Sequence, residues 1–528
     1  METEGLTQKS GGMRLLKKGK RGLFRIVFSR AGLIILFLLI QIAAAFLMQT
    51  IFSSYLPHYY IFSRVFSAAM VLYLFNSSAD PSSKLTWLVV MMIMPFFGAL
   101  MLLFTRSDIG HRMLRRKFVG VTERSKVVLK QDTGTMARFE EEAPHAVGLY
   151  RYLMRNGCHP VFADTKVTYF PQGEDKYQAM LTELEKAEHY IYLEYFIIDE
   201  GEMWGNVLEV LLRKVEQGVD VRLMYDGTCE ITRLPHNYVK RLSALGIKCK
   251  TFSPLTPFVS THYNYRDHRK ILVIDGHTAF TGGVNLADEY INRREFFGHW
   301  KDSAVMLQGD AARSFALMFL QMWNVDAKTM DFGGFLNCPP APKYCEPGFV
   351  IPYGDCPLDN ERVGELVYID ILNRAEHYVH IMTPYLILDG EMETALTFAA
   401  ERGVDVRLIL PGVPDKKLPY ALAKTHYSAL LASGVKIYEY TPGFVHSKVF
   451  ACDDREAVVG TINLDYRSLY HHFECAAYMY NTPCVRDIEK DFLETQEKCR
   501  LVTAETVKKE KLTVKVSGFI MKLIAPLL

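Results

Sequence analysis

The sequence predicts an α/β protein in which N-terminal transmembrane helices precede two duplicated α/β lobes sharing one site. Three observations carry the prediction. Long uncharged apolar runs are confined to the first 104 residues. Blocks of sequence recur in the same order in the two halves of the remainder. A His-x-Lys-x-x-x-x-Asp pattern occurs in each half, as HRKILVID at 268–275 and HSKVFACD at 446–453.

Residues 1–30 are a basic segment, with Lys9, Arg14, Lys17, Lys18, Lys20, Arg21, Arg25 and Arg30. Residues 31–52 follow with no charge at all, long enough to cross a bilayer as a helix. Residues 85–104 are again uncharged, and their internal Pro95 and Gly98 are better tolerated in membrane helices than in soluble ones. Between them, YYIFSRVFSAAMVLYLF at 59–75 is shorter and broken by Arg64. The region 31–104 therefore holds two or three membrane helices. Arg106, Arg112, Arg115, Arg116 and Lys117 follow it. Basic flanks stay on the cytoplasmic side, which predicts an even number of crossings, a multi-pass protein of the cell membrane and a cytoplasmic catalytic body. A full span at 59–75 contradicts that count.

Residues 105–149 form a linker. Beyond it, AEHYIYLEYFIIDEG at 187–201 returns as AEHYVHIMTPYLILDG at 375–390, and GVDVRL at 218–223 returns at 403–408. Repeats of this size mark duplicated structural units. Within each copy, helix-like stretches such as WGNVLEVLLRKVEQG alternate with short apolar runs such as VDVRLMY, the pattern of an α/β lobe. The lobes run over 150–335 and 345–500, with the Pro- and Gly-rich GFLNCPPAPKYCEPG as the joint. The tail 501–528 ends in KLTVKVSGFIMKLIAPLL; it suits docking on anionic lipid and equally suits ordinary packing.

Composition narrows the function classes. A net charge of +2 gives no global attraction to nucleic acid. The ten cysteines show no Cys-x-x-Cys spacing, so neither a zinc ribbon nor a disulfide scaffold is indicated.

The repeated motif carries the chemistry. On a strand, side chains alternate faces. His268 and Lys270 then share one face, as do His446 and Lys448. Asp275 and Asp453 fall on the other face or at the strand end, where they support a turn. A carboxylate that orients each imidazole must lie outside the motif. Glu474 follows His446 by 28 residues and Asp302 follows His268 by 34, in aligned segments; Glu295 competes with Asp302. Each motif is also followed by a small turn, with Gly283 and Asn285 in TGGVN, and Thr461 and Asn463 in VGTIN. Small residues admit an anion to backbone N–H groups, and Asn adds donors. Two His, two Lys and two Asn describe a phosphoryl cradle that needs no metal or other cofactor. Each feature alone has an ordinary structural explanation. A duplicated set in register with a duplicated lobe favours function. The other fourteen of the sixteen histidines, including His471 and His472, receive no role.

The paired motifs, with GG-x-N and GT-x-N after them, resemble the phospholipase D superfamily. DPSSKLTWLVVMMIMPFFGALMLLF, LEYFIIDEG and the terminal LIAPLL are similar to its bacterial cardiolipin synthases, from about residue 59 to the end. The resemblance implies a catalytic set of His268, Lys270, Asp275, His446, Lys448 and Asp453. It implies His268 as nucleophile and His446 as general acid and base. The implied reaction joins two phosphatidylglycerol molecules into cardiolipin and glycerol through a phosphatidyl-histidine, with phosphatidylglycerol and anionic membrane lipid as partners and no nucleic acid. A membrane phospholipase D, a phosphatidyltransferase using another alcohol and, more remotely, a catalytically dead interaction protein are the alternatives.

Overall fold

The computed structural model describes residues 58–527 apart from 78, 107–108, 254–264, 328 and 360, together with five positions between 43 and 51. The predicted 31–52 span otherwise lies outside the described residues.

The duplication is exact in topology. Lobe 1 contributes β1 (Lys166–Phe170), β2 (Tyr190–Tyr195), β3 (Asp220–Asp226), β4 (Lys248–Phe252), β5 (Arg266–Asp267), β6 (Lys270–Ile274), β7 (Thr278–Gly282), β8 (His299–Lys301) and β9 (Ala304–Gln308). Lobe 2 contributes β10 (Phe349–Asp355), β11 (Tyr378–Met382), β12 (Asp405–Pro411), β13 (Lys436–Tyr440), β14 (Gly443–Val445), β15 (Val449–Cys452), β16 (Glu456–Gly460), β17 (His472–Tyr480) and β18 (Cys499–Leu501). The first sheet runs β1-β9-β7-β6-β2-β3-β4, and the second repeats that order as β10-β17-β16-β15-β11-β12-β13 before adding β18. The repeated GVDVRL blocks supply β3 and β12, which pair in parallel with β2 and β11. Helical crossovers such as Glu202–Glu216 and Gly390–Glu401 make those parallel connections possible.

The helix Ala312–Asn324 is buried on nearly every side, from Phe315 to Trp323, as expected of a helix apolar all round. It lies in a core that takes residues from both sheets, among them Val273, Val305, Val449 and Ala477. The helices Thr133–Glu142 and Val147–Gly157 bury Phe139, Tyr150 and Leu153 with Phe349 and Tyr353 of the second lobe. The stretch leading into lobe 1 thus packs on lobe 2.

The N-terminal region departs from expectation. No helix among the described residues is long and apolar enough to cross a membrane. The 85–104 run is split into α2 (Pro81–Ile93) and α3 (Pro95–Arg106), after α1 (Tyr59–Phe75). Pro95 lacks an N–H and drives Met94 out of the helical region, to φ −133 and ψ 78, which ends α2. A Cβ on Gly98 would stand 2.9 Å from Met91 Cα, so only glycine lets α3 fold back this closely. Met70, Leu74, Met91, Ala99 and Leu102 form the small core of this bundle. The proline and glycine that membrane helices tolerate here make a turn, so the 85–104 run is two helices and not one continuous helix.

Candidate active site

Two short parallel pairings between the lobes build the site. The residues just before His268, β5, pair with the start of β17, Arg266 opposite His472 and Asp267 opposite Phe473. One step further brings His268 to Glu474. In the other half, β14 pairs with β8, Phe444 opposite Trp300 and Val445 opposite Lys301, and one step further brings His446 to Asp302. The backbone confirms both registers: His268 N–H donates to Phe473 O (3.0 Å) and His446 N–H to Lys301 O (2.7 Å).

The side chains follow. His268 Nδ1 lies 2.9 and 3.0 Å from the two oxygens of Glu474, and His446 Nδ1 lies 2.6 Å from Asp302 Oδ2. The structure brings both expected carboxylates to a histidine with their partners exchanged: each lobe places a carboxylate on the histidine of the other. Glu295 is exposed and takes no part. A carboxylate on Nδ1 fixes the tautomer with its proton there and leaves the lone pair on Nε2.

Both imidazoles are more than nine-tenths buried. Phe196 stands 5.0 Å from the His268 ring, and Trp300 and Tyr290 stand 5.3 and 5.5 Å from the His446 ring. Burial, reinforced by Lys270 and Lys448, holds His268 well below the usual imidazole range. Burial and then Lys448, opposed by Asp302, push His446 down to about 4. Both rings are thus neutral before substrate arrives. The lysines are destabilised as cations for the same reason: burial lowers Lys270 to about 8 and Lys448 to about 7, against the pull of Glu474 and Asp302. Lys270 Nζ donates to His268 O (2.6 Å), and Lys448 Nζ lies 2.9 Å from His446 Nδ1. An arriving phosphate anion would favour the charged form of all four groups.

Asp275 and Asp453 lie at the strand ends, as alternation predicts, and this separates them from the four His and Lys residues of the implied catalytic set. Asp275 accepts from the backbone N–H of Glu188, His189 and Tyr190 at 2.7–2.8 Å. Asp453 repeats this with Glu376, His377 and Tyr378 at 2.8–2.9 Å. Each sits at positive φ at the strand end and ties that turn to the start of a neighbouring strand, so neither touches a reacting atom.

The small turns also act differently from the expected phosphate cradle. Gly283 N–H is committed to Ser303 O and Thr461 N–H to Cys475 O. A Cβ on Gly283 would stand 2.0 Å from Asp302 Oδ1: the glycine makes room for the carboxylate. Thr461 Oγ1 donates to Glu474 Oε2. Asn285 accepts from Ile197 N–H (3.0 Å) and donates to Tyr290 Oη (2.8 Å), so it braces the wall beside His446. Asn463 makes one long contact with Asp465, 3.4 Å, and its buried Oδ1 has no partner. Gly283, Thr461 and Asn285 thus serve the carboxylates and a wall of the site, while the amide of Asn463 is left largely uncommitted.

One residue was missed. His472, at the start of β17, has its ring 5.2 Å from the His268 ring. In sequence it was one of two adjacent histidines without a repeat partner, and only its position two residues before Glu474 on a strand hints at a shared face. His268, His472 and Glu474 bring ligand atoms within 4.8 Å of one another, close enough to hold a metal ion; Lys270 and Lys448 beside them favour an anion instead.

Comparison with known proteins fits this geometry. A family model described as "Cardiolipin synthase, PLD-like domain" matches residues 180–323 and 368–495. The chain belongs to the phospholipase D-like cardiolipin synthase family. A second model, "Phospholipase_D-nuclease N-terminal", matches residues 65–106. A cardiolipin synthase of Geobacillus kaustophilus is 34% identical over 85% of this chain and 89% of its own length. An uncharacterized protein of Streptococcus mutans is 57% identical over 87% of this chain and 99% of its own. Among solved structures, phosphatidylserine synthase of Haemophilus influenzae shares the fold, with TM-score 0.55 and 16% identity over 72% of this chain and all of that one. Membership of the cardiolipin synthase family makes the chain a phosphatidyltransferase.

Proposed function

We propose that this member of the cardiolipin synthase family moves a phosphatidyl group between two phosphatidylglycerol molecules, giving cardiolipin and glycerol. In the first step the His268 Nε2 lone pair attacks phosphorus, the bond to the headgroup oxygen breaks, and His446 gives that oxygen a proton. In the second, His446 takes the proton of a hydroxyl on another phosphatidylglycerol. That oxygen attacks phosphorus, and the phosphorus–nitrogen bond to His268 breaks. Two displacements with acid–base help replace one difficult step. The crossed pair of buried His–carboxylate units is the observation that carries the reading. Each supplies one oriented imidazole, and Lys270 and Lys448 supply charge for the phosphate. The anionic substrate brings the charge that makes protonated His446 accessible, since an opposite charge nearby raises its pKa. Asp275 and Asp453 hold the scaffold.

Membrane attachment is part of the proposal. The uncharged run at 31–52, the basic segment before it and the match at 65–106 support a membrane-anchored enzyme. Ile61, Phe62, Val65 and Phe75 on α1, Met92 and Ile93 on α2, and Phe519 and Ile520 on the helix Leu512–Ile524 are exposed. Thr86 Oγ1 donates to Leu523 O (2.7 Å), which ties α2 to the helix Leu512–Ile524. Lys511, Lys515 and Lys522 flank the apolar residues of the last helix, the composition that rests on anionic lipid. Incubating detergent-solubilised protein with phosphatidylglycerol alone tests the reaction: cardiolipin with glycerol is expected, whereas phosphatidic acid as the main product would make the chain a hydrolase.

A further inference from the structure

His472 is a buried polar group without a bonding partner, in the middle of the site. Its side chain is about nine-tenths buried. Neither ring nitrogen has a hydrogen-bond partner, and Nδ1 stands 3.5 Å from Glu474 Oε1. Buried groups in native structures almost always find partners, because an unpaired one loses its hydration without return. Here the partner is expected to come with substrate. Burial pushes the ring down to about 3, so it is neutral, with one N–H donor and one lone pair. A phosphate oxygen only accepts and already faces Lys270 and Lys448. A cation is disfavoured by the same lysines. With Nδ1 beside Glu474, Nε2 is the nitrogen left for substrate, and an alcohol hydroxyl can donate to its lone pair as a phosphate oxygen cannot.

We infer that His472 is a positioning residue for the alcohol side of the reaction, binding a hydroxyl of the glycerol headgroup beside His268. The inference rests on the proposed phosphatidyl transfer and adds what selects the headgroup. The phosphate and the reacting bond are identical in phosphatidylglycerol and phosphatidylpropan-1-ol; only the free hydroxyls differ. Losing one matched hydrogen bond in a buried site changes a rate ratio by about tenfold.

The experiment compares kcat/KM for release of labelled headgroup from trace amounts of these two lipids in micelles holding the same excess of unlabelled phosphatidylglycerol as acceptor, using the full chain. The wild type is expected to prefer phosphatidylglycerol by about tenfold or more. His472→Phe, with a ring of similar size and no nitrogen, is expected to bring the preference close to one, and His472→Gln, which keeps a donor and an acceptor, to retain part of it. His472→Leu replaces the Phe variant if thermal unfolding shows that the larger ring is not accommodated. A purely structural role would slow both lipids equally and leave the ratio alone. An indifferent wild type, or a preference that survives loss of the imidazole, overturns the inference. A wild type that releases neither headgroup refutes the proposed function instead.

Discussion

Replacing Glu474 by Gln should slow formation of the covalent intermediate, and replacing Asp302 by Asn should not, when the leaving group needs no proton. Glu474 is fully buried, faces His268 Nδ1 with both oxygens at 2.9 and 3.0 Å, and receives the Thr461 hydroxyl. As His268 becomes bonded to phosphorus its ring gains positive charge, which a carboxylate stabilises and an amide does not. A charge-assisted hydrogen bond of this kind is worth about 1.5–3 kcal/mol. At 1.36 kcal/mol per decade, that is roughly a 10- to 150-fold slower attack. A phosphodiester with a p-nitrophenol leaving group departs without general-acid help, so the stopped-flow burst of nitrophenolate reports His268 alone. Glu474→Gln should cut the burst rate by that factor, while Asp302→Asn, whose partner is His446, should leave it within about twofold. The opposite pattern would mean that the carboxylates serve the histidines of their own lobes and would refute the crossed arrangement.

Other consequences are as direct. Gly283→Ala places a methyl group where Asp302 Oδ1 lies, 2.0 Å from the new Cβ; overpacking of this kind costs about 1–3 kcal/mol, and headgroup transfer should fall along with the melting temperature. Asp275→Asn weakens three backbone contacts at 2.7–2.8 Å, a loss of about 2–3 kcal/mol in chemical denaturation, with activity following the folded fraction; a large kcat loss in fully folded protein would return Asp275 to the catalytic set. His446 should titrate near 4 in the resting enzyme when followed by NMR as the histidine signal missing from His446→Gln, and its midpoint should rise when inorganic phosphate binds. Because its folded value lies below the ordinary 6.5, the unfolded chain binds the proton more readily. This histidine's contribution to stability is therefore present above about pH 6.5 and is lost as pH falls toward 4.

Much of this was legible in the sequence because it is local. The repeated GVDVRL and AEHY blocks became equivalent strands in two sheets of the same order. Alternation along HRKILVID and HSKVFACD placed the His–Lys pairs together and sent Asp275 and Asp453 to the strand ends. The carboxylates at 302 and 474 were also recognisable as acids ahead of apolar strands. Their partners were not, because the β5–β17 and β14–β8 pairings join segments more than 140 residues apart, and no spacing within one lobe encodes them. Gly283 and Thr461 were read as anion-binding turns because smallness alone does not say which group needs the room. Apolarity alone likewise does not separate a spanning helix from the α2–α3 turn at Pro95.

The most direct test of the central claim is to trap the intermediate. His446→Asn protein, mixed with a p-nitrophenyl ester of phosphatidic acid that carries labelled phosphorus and has a leaving group needing no general acid, is quenched in alkali, where phosphohistidine survives, then digested and its peptides mapped. The account predicts label on the peptide containing His268. Label on the peptide containing residue 472, or a single turnover with no labelled peptide, would contradict it.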